Sequence, residues 1–190
     1  QNAHDHRGAG GGGAGGAGRG SWWRGGAVGG LEPAPRGNVL CMENRRQVNV
    51  PPADVFAVLA DGWLYPSWVV GASRMRAVDD AWPAPGARLH HSVGAWPLLI
   101  DDETVVLECE PDRRLLLQAK GWPAGEATVE ILLDPTAGGG TEIVMREQVT
   151  RGPGKIVPPP VQSPFVRVRN RESLRRLAFL AEGHARVVSR

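Results

Sequence analysis

Cysteine is scarce in this chain: Cys41 and Cys109 are the only two in 190 residues. Neither has a nearby partner or a histidine at metal-ligand spacing, which argues against a disulfide framework and for a reduced, cytoplasmic protein. No run of about 18 apolar residues is present to span a bilayer, and the N-terminus lacks the apolar core of a secretory signal. Charge of one sign is also missing: the net charge of +2 gives no reason to expect nucleic acid or a membrane surface as partner. The glycine-rich leader lacks the Lys-Ser/Thr ending and the preceding strand of a phosphate loop. Ser67 and Ser163 stand in no nucleophile-elbow context. No motif calls for a cofactor, and His90 and His91, alternating across a strand, have no third ligand that would make a metal site.

What is present suits one domain. A chain of 190 residues, 42% hydrophobic, can bury one good core but not two large ones. Residues 1–38 hold most of the 26 glycines and show neither strand nor helix period, so they are expected to be a disordered leader. Within it, the Trp22-Trp23 pair beside Arg19 and Arg24 reads either as a recognition motif or as an accident of translation. The chain begins with Gln, and Met42 precedes the first structured pattern, so natural translation is expected to start near Met42. The folded domain is expected over 39–185, with 186–190 as a tail.

From Met42, Arg46, Val48 and Val50 alternate with Glu43, Arg45, Gln47 and Asn49, the mark of a strand. Pro51-Pro52-Ala53-Asp54 stops it and opens a short helix, with proline at the start and a carboxylate in the first turn. Trp63-Leu64-Tyr65-Pro66-Ser67-Trp68 follows as a second short helical or bent segment. Its three large aromatics must pack against the core or a ligand. About six strands are expected from Ala72 to Arg151. Leu89, His91 and Val93 form one inward row, Val105, Leu107 and Cys109 the next (against Thr104 and Glu108), then Leu115, Leu117 and Ala119. Ala127, Val129, Ile131 and Leu133 follow, and Thr141, Ile143, Met145, Glu147 and Val149 complete the set.

After a proline-rich connector, Ser163–Gly183 reads as one long helix, with Ser163 as cap, Pro164 at its first position and Gly183 as its left-handed stop. Val166, Asn170, Ser173, Leu174, Leu177, Leu180 and Ala181 share one face. Its second half is apolar enough to seal against a sheet. Its first half offers Asn170 and Ser173, which either roof a cavity or sit at a wet, frayed end. Strands followed by one long helix indicate an α+β domain, a curved antiparallel sheet with the helix across its concave side.

Several phrases in this order resemble a known group. Val50-Pro51-Pro52-Ala53-Asp54-Val55-Phe56 is similar to the opening strand-to-helix phrase of the START-like (SRPBCC) superfamily. Gly86-Ala87-Arg88-Leu89-His90-His91, Gly140-Thr141-Glu142-Ile143 and Arg169-Asn170-Arg171-Glu172-Ser173-Leu174 resemble its polyketide cyclase/dehydrase and lipid-transport-like members. The resemblance runs from about Met42 to His184. It implies a helix-grip fold with an apolar cavity between sheet and helix, while the superfamily spans carriers, receptors and cyclases.

His91 and Glu147 are the titratable residues on faces otherwise directed inward. Either they meet in the cavity as an acid/base pair that polarises a carbonyl or moves a proton, or each is a satisfied structural residue, Glu147 bonded to backbone or an arginine. Trp68, Trp96 and Trp122, near turns at the edges of apolar elements, are candidates for the cavity mouth or plain core. With Leu89, Met145, Asn170, Ser173 and Leu174 they form the expected ligand-binding set. The arginines from Arg167 to Arg176 read as a solvated helix face. The expected function is binding of a small hydrophobic molecule, lipid or polyketide-like. The alternatives are an aromatase/cyclase- or dehydratase-like enzyme, and a protein acting through a partner surface with its core filled.

Overall fold

The computed structural model describes residues 41–95, 97–121, 125–152 and 159–188. The chain divides into two units, Gln1–Arg36 and Gly37–Arg190, and every described helix and strand belongs to the second. The leader with Trp22 and Trp23, most of the proline-rich connector, and Trp96 and Trp122 lie outside the described residues.

Strand β1 (Cys41–Val48) leads into α1 (Pro52–Ala60), a 3-10 turn (Gly62–Leu64) and α2 (Tyr65–Trp68). Six strands follow: β2 (Ala72–Val78), β3 (Arg88–Ala95), β4 (Leu98–Glu110), β5 (Arg114–Gly121), β6 (Gly125–Pro135) and β7 (Thr141–Arg151). Helix α3 (Pro159–Val188) ends the fold. All neighbouring strands are antiparallel, in the order β1-β7-β6-β5-β4-β3-β2. Register shifts in β2, in β4 and in β7 mark bulges, which bend a sheet and strengthen its twist. The curved sheet holds α3 on its concave side, where α3 packs on α1, α2, β1 and β7.

One bulge reverses an expectation from the sequence. Val106 pairs with Leu117 but Glu108 pairs with Leu116, so Leu107 is the extra residue in β4. Before it, Asp102, Thr104 and Val106 point inward; Leu107 is 38% exposed while Thr104 is fully buried. Beyond it the phase is restored, and Cys109 packs against the core opposite Leu115. Strict alternation from Cys109 back to Val105 therefore picks the wrong face, because an inserted residue shifts every side chain before it.

The ends of α3 differ from the sequence expectation as well. The helix starts at Pro159, not Ser163, so Pro164 lies inside it, and it continues through Gly183 to Val188 into the expected tail. Gly183 has no positive φ and is not a left-handed stop. A helical glycine costs only about 1 kcal/mol relative to alanine. The last turns are anchored instead by Ala185 against the core and by His184 Nδ1, 3.9 Å from Asp54 Oδ1 on α1.

The core is graded in size. Across β5 and β6 the inward pairs run Leu115–Ile131, Leu117–Val129 and Ala119–Ala127. On α3 the same direction leads from Ala181, Leu177 and Leu174, all buried, to Asn170 and Val166. At the leucine end the layers meet; toward the alanine end the sheet's side chains shorten, and space opens between sheet and helix.

Candidate functional site

That space is a cavity of about 740 Å³, lined mainly by apolar side chains from Trp68 and Val69, across Val93, Ala119, Ala127, Val129 and Met145, to Val166. Its size falls within the roughly 300–1,000 Å³ usual for small-molecule pockets. The lining extends to Lys120, Gly125 and Glu126 at the β5–β6 turn and to Val168 on α3, which is 70% exposed, so this end meets solvent. A second groove of about 490 Å³, around Asp61, Trp63, Asp79 and Trp82, lies open on the surface, and its carboxylates are not buried. The internal cavity is therefore the candidate site.

Two polar clusters stand on its wall. The first is centred on Glu147, 6% exposed on β7. Its Oε2 accepts from Asn170 Nδ2 at 2.7 Å and from Arg169 Nη2, both on α3. Arg169 Nε and Nη2 also donate to Asn170 Oδ1, at 3.2 and 3.1 Å. The three side chains close a ring in which a buried carboxylate has a cation and an amide as partners, the condition under which such burial is tolerated. Ser173 is tied differently, its Oγ accepting from the Val70 N–H at 3.1 Å and so clamping the α2–β2 connection to α3.

The second cluster is centred on His91, 3% exposed on β3. His91 Nε2 lies 3.0 Å from Thr104 Oγ1, and the same oxygen lies 3.1 Å from the Tyr65 hydroxyl. The Tyr65 and His91 rings are 5.1 Å apart at 35°, and Trp68 packs edge-on against Tyr65. His91 Nδ1 has no hydrogen-bond partner among the described residues. Burial first, then the Arg76 and His90 charges, push the His91 pKa down to about 4, so the ring is neutral at pH 7. Burial raises the Tyr65 phenol to about 12. Asp102, opposite His91 on β4, is buried, its Oδ2 has no partner among the described residues, and burial raises its pKa.

Of the residues expected from the sequence, Trp68, His91, Met145, Glu147, Asn170 and Ser173 line the cavity. Leu89 and Leu174 do not; both are buried in the core beyond it. His91 and Glu147 share the cavity, yet no hydrogen bond joins them and each has its own partners. Tyr65, Thr104 and Arg169 were missed. Thr104 was hidden by the β4 bulge, and Arg169 by its place in an arginine run whose other members, Arg167, Arg171, Arg175 and Arg176, are exposed. The aromatic cluster of α2 was the available signal for Tyr65. Among the described residues no group of three or more His, Cys, Asp or Glu side chains is arranged to hold a metal ion, and no helix is long and apolar enough to cross a membrane.

A seven-stranded antiparallel sheet gripping a long C-terminal helix, with two short helices after the first strand, is the START-like, or helix-grip, fold. The chain belongs to the family described as polyketide cyclase / dehydrase and lipid transport, whose model matches residues 40–182. No curated protein matches it in sequence. Solved structures share its fold at low identity. A protein of unknown function from Staphylococcus aureus is 10% identical, with a TM-score of 0.63, covering 78% of this chain and 96% of that one. Ara h 8.0201 is 16% identical, with a TM-score of 0.60 and coverage of 76% and 99%. The di-domain ARO/CYC BexL from the BE-7585A biosynthetic pathway is 17% identical, with a TM-score of 0.59, and the match covers 77% of this chain but 50% of that one.

Proposed function

We propose that this protein binds a small hydrophobic molecule, lipid or polyketide-like, in the cavity between the sheet and α3. The observation that carries the reading is the apolar chamber itself, about 740 Å³ with two buried polar clusters on its wall. A core evolved only for packing gains nothing from such a void, since cavities cost stability roughly in proportion to their volume. The same void speaks against a protein that acts only through its outer surface over a filled core.

A second reading, chemistry of the cyclase or dehydratase kind, draws support from one observation. His91, a buried imidazole kept neutral at pH 7, is among the residues that line the cavity, and an imidazole is the commonest general acid or base. Glu147 supports it less, because its Oε2 already accepts from Arg169 and Asn170. The family's description, polyketide cyclase / dehydrase and lipid transport, supports a lipid or polyketide-like guest.

Native mass spectrometry of freshly purified protein tests whether a guest travels with it. In parallel, the neutral dye N-phenyl-1-naphthylamine is titrated in and then displaced with a long-chain fatty acid or a polycyclic aromatic ketone. Saturable uptake of one dye per chain, reversed by either competitor, is expected. No saturable uptake from the full chain would remove the binding reading. A carrier keeps dye binding after His91→Ala and Glu147→Gln, whereas an enzyme keeps binding and loses turnover.

A further inference from the structure

Of the carboxylates that line the cavity, Glu126 and Glu172 are half-buried, and Glu147 alone is buried, at 6% exposure. Only half of that carboxylate is used. Arg169 Nη2 and Asn170 Nδ2 both donate to Oε2, and no group among the described residues donates to Oε1. Nor is Oε1 walled in. Among the described residues, Asn44 Oδ1, Arg46 Nε, His91 Nδ1 and Asp102 Oδ2 are the buried side-chain atoms with neither a partner nor accessible surface; Glu147 Oε1 is not one of them, so it retains surface. That surface opens inward. Strand β7 lies inside the sheet between β1 and β6, and Glu147 shares its face with Met145 and Val149, which line the same cavity.

A carboxylate oxygen has lone pairs and no hydrogen, so whatever satisfies Oε1 must donate. Charge narrows the choice. The Arg169 guanidinium is held by Glu147 Oε2 and Asn170 Oδ1, so the three-residue ring is neutral as a whole. An ammonium group at Oε1 would leave a net positive charge in an apolar chamber, and a guest carboxylate would set two anions side by side. Both are costly at low dielectric. A carbonyl or ether oxygen has nothing to donate, and an amide N–H brings a carbonyl that needs a donor of its own. A neutral hydroxyl meets every condition.

We propose that the guest bears a hydroxyl group, alcohol or phenol, which donates to Glu147 Oε1 while the rest of its body lies against the apolar lining. The inference rests on the reading of the cavity as a binding site and adds the chemical class of its guest. Glu147 is then a ligand-binding residue. Arg169 and Asn170 are positioning residues: by holding Oε2 they leave the other oxygen to the guest. A guest without the hydroxyl strands a charged oxygen in an apolar chamber, which is how a site built for one polar group rejects the analogue that lacks it.

Three pyrenes of similar size test this on the full chain: 1-hydroxypyrene donates, 1-pyrenecarbaldehyde only accepts, and 1-methylpyrene does neither. Their dissociation constants are measured by fluorescence for wild type and Glu147→Gln, each shown to be folded by a thermal melt. In the variant the amide oxygen takes the Oε2 place, because Arg169 and Asn170 donate there, so the amide N–H₂ faces the guest and an acceptor becomes a donor. Relative to 1-methylpyrene, 1-hydroxypyrene should lose about tenfold in affinity from wild type to variant, while the carbaldehyde gains. A second readout needs no variant: bound to wild type, 1-hydroxypyrene should absorb to the red of its position in hydrocarbon, as a phenol does when it donates to a carboxylate. Unchanged affinity ratios in the folded variant, or hydrocarbon-like absorption in wild type, overturn the hydroxyl class and leave the cavity reading intact. Failure of all three pyrenes to bind takes down the cavity reading, and this inference with it.

Discussion

His91 Nε2 and Thr104 Oγ1 stand 3.0 Å apart in the interior, joining two neighbouring strands through a neutral imidazole. Protonating that ring would place a cation in the core beside the Arg76 charge. Its folded pKa of about 4 lies below the ordinary 6.5, so between these values the unfolded chain binds a proton that the folded one does not. Stability from this group is therefore intact above pH 6.5 and lost as pH falls toward 4, by roughly 3 kcal/mol at most. Urea unfolding at pH 7 and pH 4.5 should show a steeper loss in wild type than in His91→Phe. Equal losses would mean that His91 is not the buried neutral group described.

The ring formed by Glu147, Arg169 and Asn170 behaves as a unit. Asn170→Leu removes one donor to a buried carboxylate and one acceptor for Arg169, and should cost about 2 kcal/mol. Glu147→Leu added to it should cost less than the sum of the two single changes, because the second removes the group stranded by the first. A double-mutant cycle in chemical denaturation measures this, and strict additivity would contradict the shared network.

Gly183 lies within α3, with no positive φ and open space where a β-carbon would go. Gly183→Ala should raise stability by about 0.5–1 kcal/mol, since alanine is the better helix former and the unfolded chain loses freedom. A glycine serving as a left-handed stop would give the opposite sign in a thermal melt.

The bulge in β4 makes neighbouring residues unequal. Val106 is 1% exposed and Leu107 38% exposed. Val106→Ala should cost about 2 kcal/mol, whereas Leu107→Thr should change stability by less than about 0.5 kcal/mol. Regular alternation through β4 requires the reverse order, so the two unfolding curves decide between them.

Legibility in the sequence followed how local the cause was. The rows Leu115-Leu117-Ala119 and Ala127-Val129-Ile131-Leu133 could be read directly, because strand period and side-chain size are local facts, and they already contained the taper that opens the cavity. Asn170 and Ser173 could be placed by helical period, and the phrases around Pro51 and His91 pointed to the fold. Thr104 could not be placed, because an inserted residue in β4 shows only when the partner strand is known. The end of α3 was misplaced because contacts with α1, distant in sequence, outweigh the preference of Gly183. Arg169 reads like its exposed neighbours until Glu147 is brought against it.

The central claim is that the taper from leucine to alanine leaves a chamber for a guest. It is tested most directly by filling that chamber. Ala127→Trp and, separately, Ala119→Phe place a ring on the cavity wall at the paired alanines. N-phenyl-1-naphthylamine is titrated into wild type and each variant, with a thermal melt confirming that each is folded. Wild type should take up one dye per chain, and at least one folded variant should lose affinity by about tenfold or more, about 1.4 kcal/mol or more. Unchanged dye affinity in both folded variants would contradict the account, since the dye would then be bound elsewhere.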